Sequence, residues 1–225
     1  MSYEPSLEEY IHQLARDPKP SVRQNAAFIL GRWRDLRVVP PLITAVQDED
    51  PGVRMRAVEA LGVWKHMPET VQAVIPALGD ADEAVRSQAA RSLGLMQDVD
   101  AVPALLEALN DTSVAVRAKT AEALGILAQP AAIMALLRAL IEDDDSGVRY
   151  FAQESLVQIG GAAVRESVSD AIQQYYDEPG ILIDLISVLA KLRDSRNIEV
   201  LRPLLAHPDE DVKAMAQWAI TEHSH

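Results

Sequence analysis

The sequence predicts an all-α fold, a solenoid of about seven helix pairs stacked along the chain. Three observations predict it. First, a phrase opening on Val-Arg recurs from Val22, Val53, Val85, Val116 and Val148, at intervals of 31, 32, 31 and 32 residues, with weaker copies from Ile181 and Val212. A fixed period of this length marks an array of supersecondary units, none able to bury its apolar face alone. Second, apolar residues inside each phrase keep helical spacing: Val53, Ala57, Ala60, Leu61 and Trp64 form one stripe. Third, the chain is 48% hydrophobic but only 4% aromatic, and rich in Ala and Leu. That composition suits close-packed helices better than a sheet.

The period divides residues 1–225 into one domain of seven units, near 5–35, 36–66, 67–98, 99–128, 129–160, 161–194 and 195–225. Each unit reads as a short first helix, such as 37–47 or 101–110, a polar turn, and a second helix beginning at the Val-Arg phrase. Three residues before the reference position stand Asp50, Asp82, Ser113, Asp145, Glu178 and Asp209. All but the glutamate are good N-caps. Pro20, Pro51 and Pro179 follow at the first helical position, where a missing N–H costs nothing. Small residues beside the stripe (Ala26 and Ala27, Ala89 and Ala90, Ala121 and Ala123) allow neighbouring helices to approach closely. Much of the negative charge sits in the turns, at 48–50, 143–145 and 209–211. Carboxylates there face the positive ends of helix dipoles, so capping accounts for them. A face for cations or a basic partner is the alternative.

A stricter spacing lies across the turns. Asp17, Asp48, Asp80, Asp111 and Asp143 each precede an arginine by six, namely Arg23, Arg54, Arg86, Arg117 and Arg149. An arginine on a second helix can reach an aspartate at the turn of its own unit or of the next, which predicts a ladder of charge-assisted hydrogen bonds. An arginine row for phosphate is the weaker reading, because each arginine has a matched acid.

The stretches "VPPLITAVQDEDPGVRMRAVEALG" (39–62) and "VPALLEALNDTSVAVRAKTAEALG" (102–125) resemble the short, phycobilisome-lyase-type HEAT-like repeat. The resemblance is close over about 15–160 and looser at the ends. It implies a right-handed α-α superhelix whose second helices line the concave side. It implies no single function, since that family includes scaffolds, regulatory subunits, bilin lyases and a few enzymes. The tetratricopeptide and ankyrin signatures are absent.

Unit six departs from the pattern, with Leu182 in place of arginine and Tyr176 in place of aspartate, so the ladder is expected to break there. Gly160 and Gly161 should end a helix. Pro76 and Pro203 fall late in first helices and predict a kink or a delayed start. Gln153 and Gln217 replace small apolar residues, and residues 160–182 are expected to be the softest joint.

Function in such a fold sits on repeat positions free to vary. The open stripe of the second helices lies 2, 5 and 9 residues past each arginine. Its candidate partner-binding residues are Phe28, Arg32, Arg56, Glu59, Gln88, Arg91, Lys119, Glu122, Tyr150, Phe151, Glu154 and Trp218. Basic and acidic members are mixed, unlike a phosphate track, and aromatics with arginine are typical interface anchors. Phe28 and Trp218 read equally as caps over the open ends of the array. Trp33 and Trp64, two past the "LG" glycine, share their register with Met96 and Leu127 and are expected in the core.

Other chemistry finds little footing. The net charge of −13 disfavours nucleic acid and anionic lipid. With no cysteine there is no disulfide, thiolate site or cysteine nucleophile, which fits a reducing compartment. His12, His66, His207, His223 and His225 share no ligand spacing except at the tail, where Glu222 joins the last two. A frayed terminus is the reading taken there. No His-Glu step of the di-iron HEAT-fold hydroxylases occurs, nor a nucleophile elbow, phosphate loop or zinc spacing. The acidic opening stretch lacks a signal-peptide pattern, and no apolar run is long enough to span a membrane. The expectation is a cytoplasmic, non-catalytic scaffold or adaptor, without metal or cofactor, holding another protein or a peptide in its concave groove. Bilin or tetrapyrrole handling is the alternative the resemblance implies, and a HEAT-fold DNA glycosylase is disfavoured by charge.

Overall fold

Ser6 opens the first helix with a reciprocal cap. Its hydroxyl accepts the Glu9 N–H, and the Glu9 carboxylate accepts the Ser6 N–H. From there the computed structural model, which describes residues 6–222, is built of fourteen α-helices among those residues, with no strand among them. In chain order they are α1 (Leu7–Arg16), α2 (Pro20–Leu30), α3 (Val39–Ala45), α4 (Pro51–Leu61), α5 (Pro68–Val74), α6 (Glu83–Met96), α7 (Val102–Ala108), α8 (Val114–Leu127), α9 (Ile133–Glu142), α10 (Ser146–Ile159), α11 (Gly161–Gln174), α12 (Pro179–Lys191), α13 (Asn197–Leu201) and α14 (Glu210–Glu222). Successive helices form seven pairs, the all-α solenoid class expected from the period.

The second helices start where the turn chemistry dictates. Asp50, Asp82 and Asp145 each accept backbone N–H groups in the first turn of α4, α6 and α10. Asp209 does the same for the Asp211 and Val212 amides. Prolines occupy the first turn of α2, α4 and α12. In pairs three and seven the start of the first helix is not delayed. Instead α5 and α13 give way at Ile75–Gly79 and Arg202–Ala206 to a tighter 3-10 turn, because Pro76 and Pro203 cannot continue the α pattern.

The chain divides into two compact units, one ending at Leu127 and one beginning at Ala128. In the first, α2, α4, α6 and α8 pack side by side in one layer, while α1, α3 and α5 pack in sequence on the other side. Between the layers Leu30, Leu42, Leu61, Leu93, Leu105 and Leu124 are completely buried. Each Leu transferred from water contributes on the order of 2 kcal/mol. The "LG" glycines set the spacing within the second-helix layer. A Cβ on Gly62 would lie 2.7 Å from the Ser92 hydroxyl, and one on Gly94 would lie 2.9 Å from the Ala123 Cα. Ser92, buried, turns its hydroxyl to the Val58 carbonyl of α4 at 3.0 Å.

In the second unit α10 packs against α12 and α12 against α14, with α9, α11 and α13 paired to them. Leu136, Leu156, Leu182, Leu185 and Ile186 are its fully buried core. Gly160, at φ +61°, both closes α10 and opens α11 with no loop between, a backbone state that glycine alone adopts without strain.

Trp33 corrects the sequence reading. It is exposed, at 36%, and Trp64 is only half-buried, whereas Met96 and Leu127 are buried. The reason is helix length. α6 and α8 run fourteen residues and carry Met96 and Leu127 inside the helix. α2 and α4 run eleven and stop at Leu30 and Leu61. Trp33 therefore lies beyond the register that would have turned it inward, whereas Trp64 keeps its indole Nε1 buried though the ring is partly open.

Candidate interaction face

The turn-side edge of the second helices is occupied by structure. Arg23 donates from Nε and Nη2 to both carboxylate oxygens of Asp48, at 2.9 and 2.8 Å, and from Nη1 to the Asp17 carbonyl at 3.0 Å. Arg54 repeats this with Asp80 and the Asp48 carbonyl, and Arg86 with Asp111 and the Asp80 carbonyl. The aspartate six residues earlier thus offers the arginine its backbone carbonyl, and the aspartate of the following pair offers its carboxylate. Each receiving carboxylate also accepts the amide two residues on. The guanidiniums of Arg54 and Arg86 are the main cause that holds Asp80 and Asp111 below the usual carboxylate range. Asp17 caps the Lys19 amide instead. Arg117 donates to the Asp111 carbonyl and Arg149 to the Asp143 carbonyl in the same manner.

Pair six carries Tyr176 rather than an aspartate at the ladder position, and the Arg149 Nε lies 3.9 Å from Asp184 on α12 instead. Burial raises the Asp184 carboxyl above its ordinary range, and Arg149 only partly offsets this. The next link is made by a residue that spacing to other histidines could not reveal. His207, buried, stands five residues before Val212, the ladder aspartate's register. Its Nδ1 accepts the Asp209 N–H at 3.1 Å, so Nε2 carries the proton and donates to the Tyr176 carbonyl at 2.9 Å. One imidazole thereby spans the gap that an arginine and an aspartate span elsewhere, and Leu182 fills the arginine's place in the core. Counting back from Val212 was the signal that would have found it.

The other side of the second helices is open. In the first unit the stripe positions of α2, α4, α6 and α8 are exposed or half-buried, while Val53, Ala57 and Leu61 between them are buried. Phe28, 41% exposed, lies with its ring centroid 5.7 Å from the Arg32 guanidinium and 5.5 Å from that of Arg56. These side chains, with Glu59 and Val63, rim a hollow of about 150 Å³ floored by Gly31 and Ala60. Arg56 is paired to Glu59 at 2.6 Å and Lys119 to Glu122 at 2.7 Å, both one helical turn apart. Gln88 donates to Ser92 at 3.1 Å. Arg91 is exposed, beside exposed Leu95.

In the second unit Tyr150, 54% exposed, meets Phe151 edge-on at 5.5 Å. The Lys191 ammonium sits 5.9 Å over the Tyr150 ring and pairs with Glu154. Gln153 reaches across to Ser187, while Gln217 is exposed. Trp218 on α14 is 44% exposed. Each predicted stripe residue is therefore at least partly open to solvent. The structure brings Phe28, Arg32, Arg56 and Glu59 together in one cluster and Tyr150, Phe151 and Glu154 in another. No group of His, Asp and Glu that could hold a metal occurs among the described residues, and no helix there is long and apolar enough to cross a membrane. His223 and His225 lie outside the described residues.

Known proteins supply the context for this geometry. A family model described as HEAT repeats matches residues 7–80, 71–157, 102–180 and 135–221. No curated protein matches the chain. Among solved structures, the complex of CpcE and CpcF of phycocyanin lyase from Nostoc sp. PCC7120 is 24% identical with a TM-score of 0.62, covering 100% of this chain and 90% of that one. Escherichia coli YibA is 19% identical with a TM-score of 0.66, covering 97% and 81%. A HEAT-like repeats protein from the archaeon Thermococcus onnurineus NA1 is 15% identical with a TM-score of 0.54, covering 99% and 98%. Identities this low speak for the fold alone. The overlapping matches run through every helix pair, and the chain belongs to the HEAT-repeat family.

Proposed function

We propose that this protein is a non-catalytic scaffold or adaptor that holds a protein partner against the open face of its second helices. One observation carries the reading. On one edge of those helices the charged side chains are spent on ladder contacts, while the adjoining stripe exposes Phe28, Arg91 and Leu95 in the first unit and Tyr150 and Trp218 in the second. Aromatic and arginine anchors set among half-satisfied polar groups suit recognition of a protein surface, and stacked repeats present such surfaces over a long span. The test is crosslinking capture from source cells, comparing the wild-type chain with an Arg91→Ala/Tyr150→Ala/Phe151→Ala variant. The expected result is a defined partner that the variant loses. Recovery of the same proteins by both, or of none, overturns the reading.

A second reading, handling of a bilin or other tetrapyrrole, is favoured by the ring-and-guanidinium cluster at Phe28, Arg32 and Arg56, which has the chemistry to meet a propionate beside a ring. It ranks second because a hollow of about 150 Å³ is smaller than the ~300–1,000 Å³ usual for a site that encloses such a ligand. With no cysteine the chain itself could not carry a thioether-linked bilin. Adding a bilin at micromolar protein and recording the visible spectrum tests it, and an unshifted band removes it.

A further inference from the structure

We propose that the open face of α2, α4, α6 and α8 takes an extended, acidic and aliphatic segment of a partner protein, with one carboxylate on Arg32, a second on Arg91, and aliphatic side chains between them on Val63 and Leu95. This rests on the protein-binding reading and names the partner's chemistry.

The charge of the face runs against that of the chain. The chain carries −13, yet the stripe of these four helices holds Arg32, Arg56, Arg91 and Lys119 against Glu59 and Glu122. The two glutamates are taken by Arg56 and Lys119 at one helical turn. Arg32 and Arg91 are exposed and lie within ion-pair distance of no carboxylate among the described residues, whereas Arg23, Arg54 and Arg86 each hold one. Arg32 also lies over the Phe28 ring, 5.7 Å from its centroid. Two unmatched cations on an acidic protein are the charge complement of a partner with two matched anions.

Spacing narrows the partner. α2 packs on α4 and α4 on α6, so Arg32, just past the end of α2, and Arg91 are two helix spacings apart, about 16–20 Å at the usual 8–10 Å per step. An extended chain covers that span in about six residues at ~3.3 Å each. Val63, just past the end of α4, and Leu95, one turn beyond Arg91 on α6, are apolar side chains 38% and 41% exposed. An extended segment alternates its side chains, so aliphatic residues between the two acids can lie on Val63 and Leu95 while the others face water. Nucleic acid fits worse. Its charges recur every ~1.7 Å, and they would meet Glu59 and Glu122 on the face and Glu49, Asp82 and Glu83 at the helix N-terminal rim.

The experiment is selection from a phage-displayed library of random ten-residue peptides on the full chain, followed by fluorescence anisotropy with the enriched peptide. The expected consensus has two Asp or Glu residues five to seven positions apart with Val, Leu or Ile between. Its affinity should fall more than about tenfold in Arg32→Ala/Arg91→Ala, fall with added salt, and stay unchanged in Met134→Ala/Arg138→Ala, two exposed positions on α9 outside the stripe. Circular dichroism checks that each variant remains folded. Enriched peptides that lack acids, or that bind the arginine variant undiminished, overturn the assignment, and so does a library that yields none. A peptide lost in Tyr150→Ala/Trp218→Ala but not in Arg32→Ala/Arg91→Ala overturns it while leaving the protein-binding reading intact. The cellular crosslinking comparison decides that reading separately.

Discussion

The Arg54–Asp80 contact is the best place to measure what holds neighbouring helix pairs together. Its two bonds are both 2.7 Å long, and Arg54 and Asp80 retain only 17% and 12% of their side-chain exposure. Arg54→Ala removes both and also the bonds to the Asp48 and Glu49 carbonyls, leaving the Asp80 carboxylate with the Asp82 amide alone. Exposed ion pairs are worth about 0.2–1 kcal/mol, whereas removing one partner of a buried pair costs about 3–5 kcal/mol. A pair this enclosed but not sealed should lie between, so Arg54→Ala is expected to cost about 3 kcal/mol. Asp80→Asn keeps an oxygen for the Asp82 amide but removes the charge and one of the two acceptors for Arg54, at about 1.5 kcal/mol. Urea unfolding followed by far-UV circular dichroism on both single variants and the double variant gives the coupling, expected near 1.5 kcal/mol. The internal control is Arg56–Glu59, equally short at 2.6 Å but about 38% exposed at each end. Its coupling should be no more than about 0.5 kcal/mol. If the two cycles return the same value, the argument that burial and the two-pronged geometry give the ladder its strength is wrong.

Other outcomes follow from the same geometry. Gly94→Ala should lower stability by about 1–3 kcal/mol by thermal melt, because crowding of Ala123 outweighs the ~1 kcal/mol that alanine gains in helix propensity. Gly79→Ala, whose Cβ would meet nothing within 4 Å, should stay within about 0.5 kcal/mol. His207→Ala should cost about 2 kcal/mol by leaving the Tyr176 carbonyl and the Asp209 amide unpaired, and imidazole nitrogen shifts in the wild type should show the proton on Nε2. Asp80 and Asp111 have folded-state pKa values below their unfolded ones. Their contribution is therefore complete above the unfolded value near ~3.9 and is lost as pH falls through the lower folded value. An acid titration should show stability declining below about pH 4, and Asp80→Asn/Asp111→Asn should flatten that limb.

The repeat, the seven helix pairs, the aspartate caps and the positions of the open stripe were all legible in the sequence. Each depends on local rules: a helix turns every 3.6 residues, a cap must precede it, and a period of about 31 residues writes the same unit again. Four matters belonged to tertiary structure. Arg54 gives its two-pronged bond to the following pair's Asp80, 26 residues away, and only its third nitrogen to the turn six residues before. His207 stands in for an aspartate because two backbone groups of different turns converge on its ring. Trp33 faces water although it shares a register with buried Met96, because α2 ends three residues too soon to carry it inward. Arg32 and Arg91 are left without carboxylates while their neighbours are matched. Sequence spacing determines which side of a helix a residue occupies; what meets it there is decided by the helix packed alongside, because partners dozens of residues apart are brought together only when the pairs stack.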